Sequence, residues 1–176
     1  MIEQIRKIRE AGHVERCHTV PHIGSYNVAM HSWHAAMILV ELWPEASRNL
    51  IMQVLWHDAA ERWTGDIPAT AKWQFPGLKE ASDNAEKNCF HRLNFPLVNL
   101  TEEEELWLHA VDGLELYLWC QDQIAMGNQH IKVMIENIKD WVDDNTSQIP
   151  LPVLKIFQNY KWHRSADLLE TNNNEA

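Results

Sequence analysis

Apolar residues recur every three or four positions along most of the chain, the spacing that places them on one face of an α-helix. This pattern predicts helices over residues 2–11, 27–43, 46–63, 77–93, 101–126, 129–144 and 153–170. Pro44, Gly127 and the Thr-Gly-Asp-Ile-Pro segment at 64–68 interrupt it, and Thr101 with Glu104 has the spacing of a capping box. Strand-like alternation does not recur along the chain, so we expect an all-α fold.

Length and composition fit one compact domain. The chain has 176 residues, of which 45% are apolar and 23% charged, as is typical of a globular protein. We therefore expect a single helical domain over 1–170 and a polar tail over 171–176 that frays.

Charge, hydropathy and cysteine usage restrict the partners and the location. A formal charge of −10 disfavours a nucleic-acid polymer, but a small phosphorylated ligand needs only a few local cations. No apolar run approaches the roughly 20 residues that cross a membrane, and the first residues do not resemble a secretory signal. The three cysteines lack paired spacing, so we expect a cytoplasmic protein without a membrane partner, in the host cytoplasm if it comes from a phage.

The pair His57-Asp58 directly follows an apolar segment, where unpaired ionisable groups are costly to bury. On a continuous helix Glu61 would project toward the same place, one turn further on. A buried polar pair or a surface salt bridge would explain the dipeptide equally well, so the interpretation depends on other residues.

Two further residues favour a metal site. Asp112 has Leu or Trp neighbours at i−4, i+4 and i+7, and a carboxylate on such an apolar helix face needs a cation. Three predicted helices would supply a mixed set of nitrogen and oxygen donors, suited to Mn, Fe, Co, Ni or Zn with positions left for water: His31, His57, Asp58 and Asp112. An arginine partner for Asp112, and His34 or His109 as rival ligands, stay open at this point.

Two cations and two tryptophans are weaker signals. Arg16 and Lys72, predicted in loops beside the site-bearing helices, could clamp a phosphate, although a solvated surface charge is the simpler interpretation of each. Trp63 and Trp73 flank the turn at 65–68 and could wall a base pocket, whereas most tryptophans fit core packing.

Taken together, these motifs resemble the HD-domain superfamily of metal-dependent phosphohydrolases. The order His31, His57-Asp58, Asp112 matches its H…HD…D pattern. Further similarity lies in the segments Arg-Cys-His-Thr at 16–19, Ala-Met-His-Ser-Trp at 29–33, His-Asp-Ala-Ala-Glu at 57–61 and Thr-Gly-Asp-Ile-Pro-Ala-Thr-Ala-Lys-Trp at 64–73. Over residues 14–126 the chain is similar to a branch of 5′-deoxynucleotidases and small phage-type dNTP phosphohydrolases, including dATP triphosphohydrolases.

The resemblance implies a compact helical HD domain with the metal between helices, and a role for each motif residue. The metal ligands would be His31, His57, Asp58 and Asp112. Glu61, together with Asp58, would be catalytic, because it would position water or move a proton. The substrate-binding residues would be Arg16 and Lys72 at the phosphate, Asp66 near the sugar, and Cys17 and Thr19 near the nucleoside.

The implied reaction is the hydrolysis of dNTP or dNMP, with dATP, dADP and dAMP favoured, to the deoxynucleoside plus triphosphate or phosphate. A homo-oligomer would carry out this reaction and shape a phage or cellular dNTP pool. Two positions depart from the family pattern: Met30 replaces a glutamate of many relatives, and Cys17 replaces a tryptophan common in the deoxynucleotidases. A metal-bound nucleotide sensor without catalysis and a cyclic-dinucleotide phosphodiesterase are the alternatives.

Overall fold

The computed structural model describes residues 2–92 and 99–160, and within these ranges it is helical without strands, which confirms the predicted fold class. Its helices are α1 (Ile2–Ala11), α2 (Val28–Leu42), α3 (Arg48–Trp56), α4 (Glu61–Thr64), α5 (Ala69–Gln74), α6 (Pro76–Arg92), α7 (Glu102–Ala125), α8 (Lys132–Asp144) and α9 (Leu151–Asn159). A 3₁₀ turn at Gln129–Ile131 precedes α8. The predicted tail and the second half of the last predicted helix lie outside the described residues. None of the described helices combines the length and the apolarity that a membrane span requires.

Helix α7 is the central element, and the predicted capping box opens it. The Glu104 backbone N–H donates to the Thr101 hydroxyl at 3.2 Å, and the Thr101 N–H donates to the Glu104 carboxylate at 2.8 Å. Along its length α7 packs against α2, α3, α8 and α9. The fully buried side chains of this core include Leu39, Leu50, Val54, Val111, Leu114 and Val153. Each buried aliphatic side chain of this kind stabilises the fold by roughly 1.5–3 kcal/mol.

Helix α2 begins at a polar cap that fixes the register of the first histidine motif. The Asn27 side chain accepts a hydrogen bond from the Met30 N–H at 3.0 Å, so the helix starts at Val28. In this register His31 is fully buried, as the flanking apolar residues predict. Because α2 contacts both α3 and α7, His31 lies where the three helices meet.

The prediction of one continuous helix over 46–63 is wrong, because α3 ends at Trp56 and α4 begins at Glu61. The His57 N–H donates to the Gln53 carbonyl and closes the last turn of α3. The His57 ring then hydrogen-bonds the Val54 carbonyl through Nδ1 at 2.7 Å. His57 and Asp58 therefore lie at a helix end, where the two side chains can turn toward one point.

The prediction that Lys72 lies in a loop is also wrong. Gly65, with φ of 71°, ends α4 in a left-handed conformation that favours glycine. Pro68 then precedes the short helix α5, which carries Lys72. Helix α6 packs beside α5 and covers the predicted 77–93 helix as far as Arg92.

Candidate metal centre

Three of the predicted ligands bring their donor atoms together between α2, the end of α3 and α7. His31 Nε2 lies 3.2 Å from His57 Nε2 and 3.0 Å from Asp112 Oδ1, and His57 Nε2 lies 3.7 Å from the same oxygen. Two donors that bind one ion at about 2.1 Å are separated by about 3.0–3.5 Å in tetrahedral or octahedral geometry. The chemistry and the spacing of His31, His57 and Asp112 therefore fit a divalent transition metal.

The fourth predicted ligand, Asp58, lies beside this group in an ion pair. Its Oδ2 is 3.3 Å from His57 Nε2 and 3.6 Å from His31 Nε2, and it contacts Arg16 Nη1. The second guanidinium nitrogen of Arg16 lies 4.0 Å from Asp112 Oδ1. Asp58 is near enough to be a ligand, and its assignment as one stays a prediction.

Without a metal, the carboxylates and the histidines of the centre stabilise one another in their charged forms. Burial alone would raise the pKa of Asp58 and of Asp112, but His57 lowers the first, and hydrogen bonds to His31 and His57 lower the second well below its usual range. Burial likewise lowers the pKa of His57, yet Asp58 and Asp112 raise it further, to about 9. A metal would therefore replace a proton held on this histidine.

The rival ligands predicted from the sequence do not reach the centre. His34 lies one turn beyond His31, and its Nδ1 is 3.3 Å from Glu115 Oε1. His109 is exposed on α7, and it does not belong to the group of described residues whose donor atoms converge. Arg16 Nη2 lies 4.0 Å from Asp112 Oδ1, so the arginine partner left open for that carboxylate is present.

A cavity of about 320 Å³ opens beside the metal centre, and every residue predicted to bind substrate lines it. These residues are Arg16, Cys17, Thr19, Asp66 and Lys72. Asp58, Glu61 and Asp112 line the same cavity. A space of this size is within the range of pockets that hold small molecules.

The loop that carries Arg16 and Cys17 is held in a strained conformation next to the metal centre. Cys17 adopts φ of 54°, which is uncommon for a residue with a side chain. Its backbone N–H donates to Asp66 Oδ2 at 2.9 Å, so the segment after α4 fixes the loop after α1. Burial raises the pKa of the Cys17 thiol to about 12, so the thiol is neutral at physiological pH.

Two polar atoms near the cavity are buried without a hydrogen-bond partner among the described residues. They are Arg16 Nε and Glu61 Oε2. Burial, and after it the charge of Asp58, raises the pKa of Glu61 to about 8, so this carboxyl can hold a proton near neutral pH. Lys72 also lines the cavity, and its Nζ lies 3.7 Å from Glu86 Oε1.

Sequence reasoning missed two contributions to the site. Helix α8 lines the cavity with Val133, Met134, Asn137 and Ile138, and His130 lies just before it. Glu115 hydrogen-bonds His31 Nδ1 at 2.5 Å and is buried. A signal for Glu115 was available, because it follows Asp112 by one helical turn in an apolar segment. Of the two suggested base-pocket tryptophans, Trp63 is exposed and is not among the lining residues, and the side chain of Trp73 lies outside what the structure describes.

Comparison with known proteins gives relatives of one kind. A dATP triphosphohydrolase of Salmonella phage PMBT28 is 36% identical over 80 residues, which cover 38% of this chain and 41% of that protein. A 5′-deoxynucleotidase of Photorhabdus laumondii subsp. laumondii is 25% identical over 125 residues, 63% of this chain and 64% of that protein. The chain thus matches less than two-thirds of the length of either curated relative.

A solved structure shares the fold. The cyanophage S-2L HD phosphohydrolase DatZ, bound to dA and one catalytic Zn²⁺ ion, superposes with a TM-score of 0.62 at 22% identity, over 87% of this chain and 91% of that one. In addition, the model of the family described as 5′-deoxynucleotidase YfbR-like matches residues 4–163. Because this match extends over most of the 176 residues, and as its motifs predict, the chain belongs to the 5′-deoxynucleotidase YfbR-like family.

Proposed function

We propose that this protein is a metal-dependent hydrolase of deoxynucleotide phosphates. One observation carries the proposal: the metal-ligand group and two phosphate-binding cations, Arg16 and Lys72, adjoin a single cavity large enough for a nucleotide. The relatives named dATP triphosphohydrolase and 5′-deoxynucleotidase, and the neighbour bound to dA, favour dATP, dADP and dAMP as substrates. The products would be the deoxynucleoside and triphosphate or phosphate.

The metal would be held by His31, His57 and Asp112, with Asp58 as the fourth ligand. A divalent ion held there would polarise a phosphate oxygen and lower the pKa of a water. The donor set suits Zn, Mn, Fe, Co or Ni, and the Zn²⁺ of the structural neighbour favours zinc.

The chain's own residues would supply the remaining chemistry. Arg16 and Lys72 offset the negative charge that grows on the phosphate during attack. Glu61, whose pKa lies near neutrality, takes a proton from the attacking water or gives one to the leaving oxygen. The leaving group is the 5′ oxygen of the nucleoside with a monophosphate, and it is the same oxygen when a triphosphate is attacked at its α-phosphorus.

The nucleoside would occupy the part of the cavity that the Cys17 loop and α8 line. Asp66 uses Oδ2 to hold the Cys17 backbone and keeps Oδ1 for a sugar hydroxyl. Cys17 and Thr19 line the cavity together with the apolar Val133, Met134 and Ile138. Cys17 Sγ lies 4.0 Å from Met134 Sδ, so the loop and α8 meet and would offer one continuous surface to a base. Cysteine at position 17 leaves more room than tryptophan, so we expect a base or sugar selectivity that differs from that of the deoxynucleotidases.

A substrate survey tests the proposal. Purified protein loaded with Zn, Mn, Co or Mg is incubated with each dNMP, dNDP and dNTP, and nucleoside, phosphate and triphosphate are separated. We expect release of deoxynucleoside that is lost in Asp58→Ala and Asp112→Ala. Asp143→Ala, which changes an exposed carboxylate of α8 outside the cavity, is the matched control. Full turnover in a folded Asp112→Ala variant would contradict the assignment, and nucleotide binding without turnover by wild type would favour a sensor.

We also propose that the chain forms a homo-oligomer through the outer face of α2. Large apolar side chains at i, i+3, i+7 and i+10 are exposed there: Met30 (40%), Trp33 (57%), Met37 (45%) and Val40 (36%). A contiguous exposed patch of this kind is typical of an interface. We expect light scattering to show an assembly that Trp33→Glu dissociates, whereas a monomeric wild type would contradict this. The single domain and the cytoplasmic location stay predictions.

A further inference from the structure

A buried glutamate of α7 joins the metal centre to the start of α2. Glu115 lies one turn beyond Asp112, and its carboxylate is buried. Its Oε2 is 2.5 Å from His31 Nδ1 and accepts a hydrogen bond from the Tyr26 hydroxyl, also at 2.5 Å. Its Oε1 lies 3.3 Å from His34 Nδ1. Glu115 thus touches the imidazole of a metal-ligand residue on the side that faces away from the metal.

The position of this carboxylate decides which nitrogen of His31 is free. A carboxylate can only accept, so His31 Nδ1 carries the hydrogen and donates it. In the neutral ring Nε2 then has its lone pair, and this nitrogen is 3.0 Å from Asp112 Oδ1 and 3.2 Å from His57 Nε2. The His57 ring also carries its hydrogen on Nδ1, because this nitrogen donates to the Val54 carbonyl. Both histidines therefore direct Nε2 to one point.

The surroundings of Glu115 hold it rigidly. The Tyr26 ring stacks on Trp119, the residue one turn beyond Glu115, with ring centroids 4.3 Å apart. Tyr26 is fully buried, so its hydroxyl has a fixed direction toward Oε2. The neighbouring Met30 is 40% exposed, and the carboxylate that serves His31 comes from α7 rather than from position 30 of α2.

We propose that Glu115 is the positioning residue of the metal centre, orienting His31 and strengthening it as a ligand through a carboxylate–histidine–metal arrangement. The proposal rests on the proposed function only in so far as that function requires metal binding at this site. Loss of such a partner typically weakens metal affinity by about 10- to 100-fold. A merely structural role would instead reduce the stability of the metal-free protein and leave metal affinity unchanged.

Cobalt binding to the full chain tests this proposal. Visible absorption of Co²⁺ is titrated against a competing chelator for wild type, Glu115→Gln and His34→Gln, and thermal unfolding is recorded without metal. We expect Glu115→Gln to weaken Co²⁺ binding by about 10-fold or more and to change the Co²⁺ spectrum. His34→Gln, which removes a contact to the same carboxylate without touching His31, should bind Co²⁺ as wild type does.

The possible results distinguish a failure of the proposed role of Glu115 from a failure of the proposed metal-dependent function. If wild type and a folded Glu115→Gln bind Co²⁺ equally, the positioning role is overturned while the metal-dependent function stands. If wild type binds no Co²⁺ at this site, both proposals fail. If Glu115→Gln does not fold, Glu115→Asp repeats the test, because it keeps the charge but moves it away from His31 by one methylene. Weakened Co²⁺ binding by this variant supports the positioning role, and Co²⁺ binding equal to that of wild type overturns it.

Discussion

The His57 side chain links metal binding to pH. Burial lowers its pKa, but Asp58 and Asp112 raise it to about 9, so the metal-free centre holds a proton at neutral pH. Because only the neutral ring binds a metal, we expect metal affinity to increase as pH rises toward about 9 and to level off above it. Zinc titration calorimetry in two buffers of different ionisation enthalpy should show proton release at neutral pH. Equal affinity at low and high pH, without a buffer effect, would contradict this.

Glu61 gives the metal-free protein a second pH dependence. Burial and the charge of Asp58 raise its pKa from 4.5 to about 8. The folded protein therefore keeps a proton that the unfolded chain releases, and the stabilisation is complete below about pH 4.5 and disappears as pH rises through about 8. Urea unfolding with chelator should show that wild type loses up to a few kcal/mol relative to Glu61→Gln between these limits. Parallel curves would contradict this, and Glu80→Gln, at an exposed site on α6, is the control.

The sequence motifs predicted which residues form the site better than they predicted which of these residues contact each other. Arg16 and Lys72 both line the cavity, as the family motifs imply. The ion pair of Arg16 with Asp58, by contrast, joins residues 42 positions apart, and no local pattern encodes it. Glu115 has a helical spacing from Asp112, but only the packing of α2 on α7 shows that it meets His31.

At the scale of elements, local signals predicted helix ends and tertiary contacts determined the breaks. The capping box at the start of α7 was predictable because Thr101 and Glu104 lie within one turn. The break between α3 and α4 was not, since the Ala59-Ala60 segment favours a continuous helix. Contacts of His57 and Asp58 outside helical geometry stabilise the turn instead.

A salt bridge between helices α5 and α6 holds Lys72, the proposed phosphate-binding cation. Lys72 on α5 lies 3.7 Å from Glu86 on α6 and has part of its side chain exposed to the cavity. Lys72→Met should raise KM several-fold with a smaller change in kcat, because it removes a cation from the phosphate site. Glu86→Gln is the matched control, since it breaks the same pair but leaves the cation, and its KM should equal or fall below that of wild type. Equal KM in Lys72→Met and wild type would refute the clamp.

Over the whole molecule, the candidate metal centre brings together segments that are distant along the chain. His31, His57 and Asp112 come from the start of α2, the end of α3 and the middle of α7, which are the helices around the main core. The charge of −10 gives no indication of this centre, because the cations that matter are local. An ion that bridges the three segments binds the folded state and not the unfolded chain, so it must stabilise the fold.

Metal removal should therefore lower the stability of the whole protein. With free metal at about 100 times Kd, linkage adds about 2.7 kcal/mol to the free energy of unfolding. For a chain of this length we expect Tm to rise by roughly 5–10 °C on metal addition, and to fall back with chelator. Asp112→Asn should show a much smaller rise, because it removes the charge that α7 contributes to the ligand group. A wild-type Tm that is independent of metal would mean that the ion does not bridge these helices, whatever the activity. If Asp112→Asn instead shows the full rise, the stabilising ion binds elsewhere on the protein.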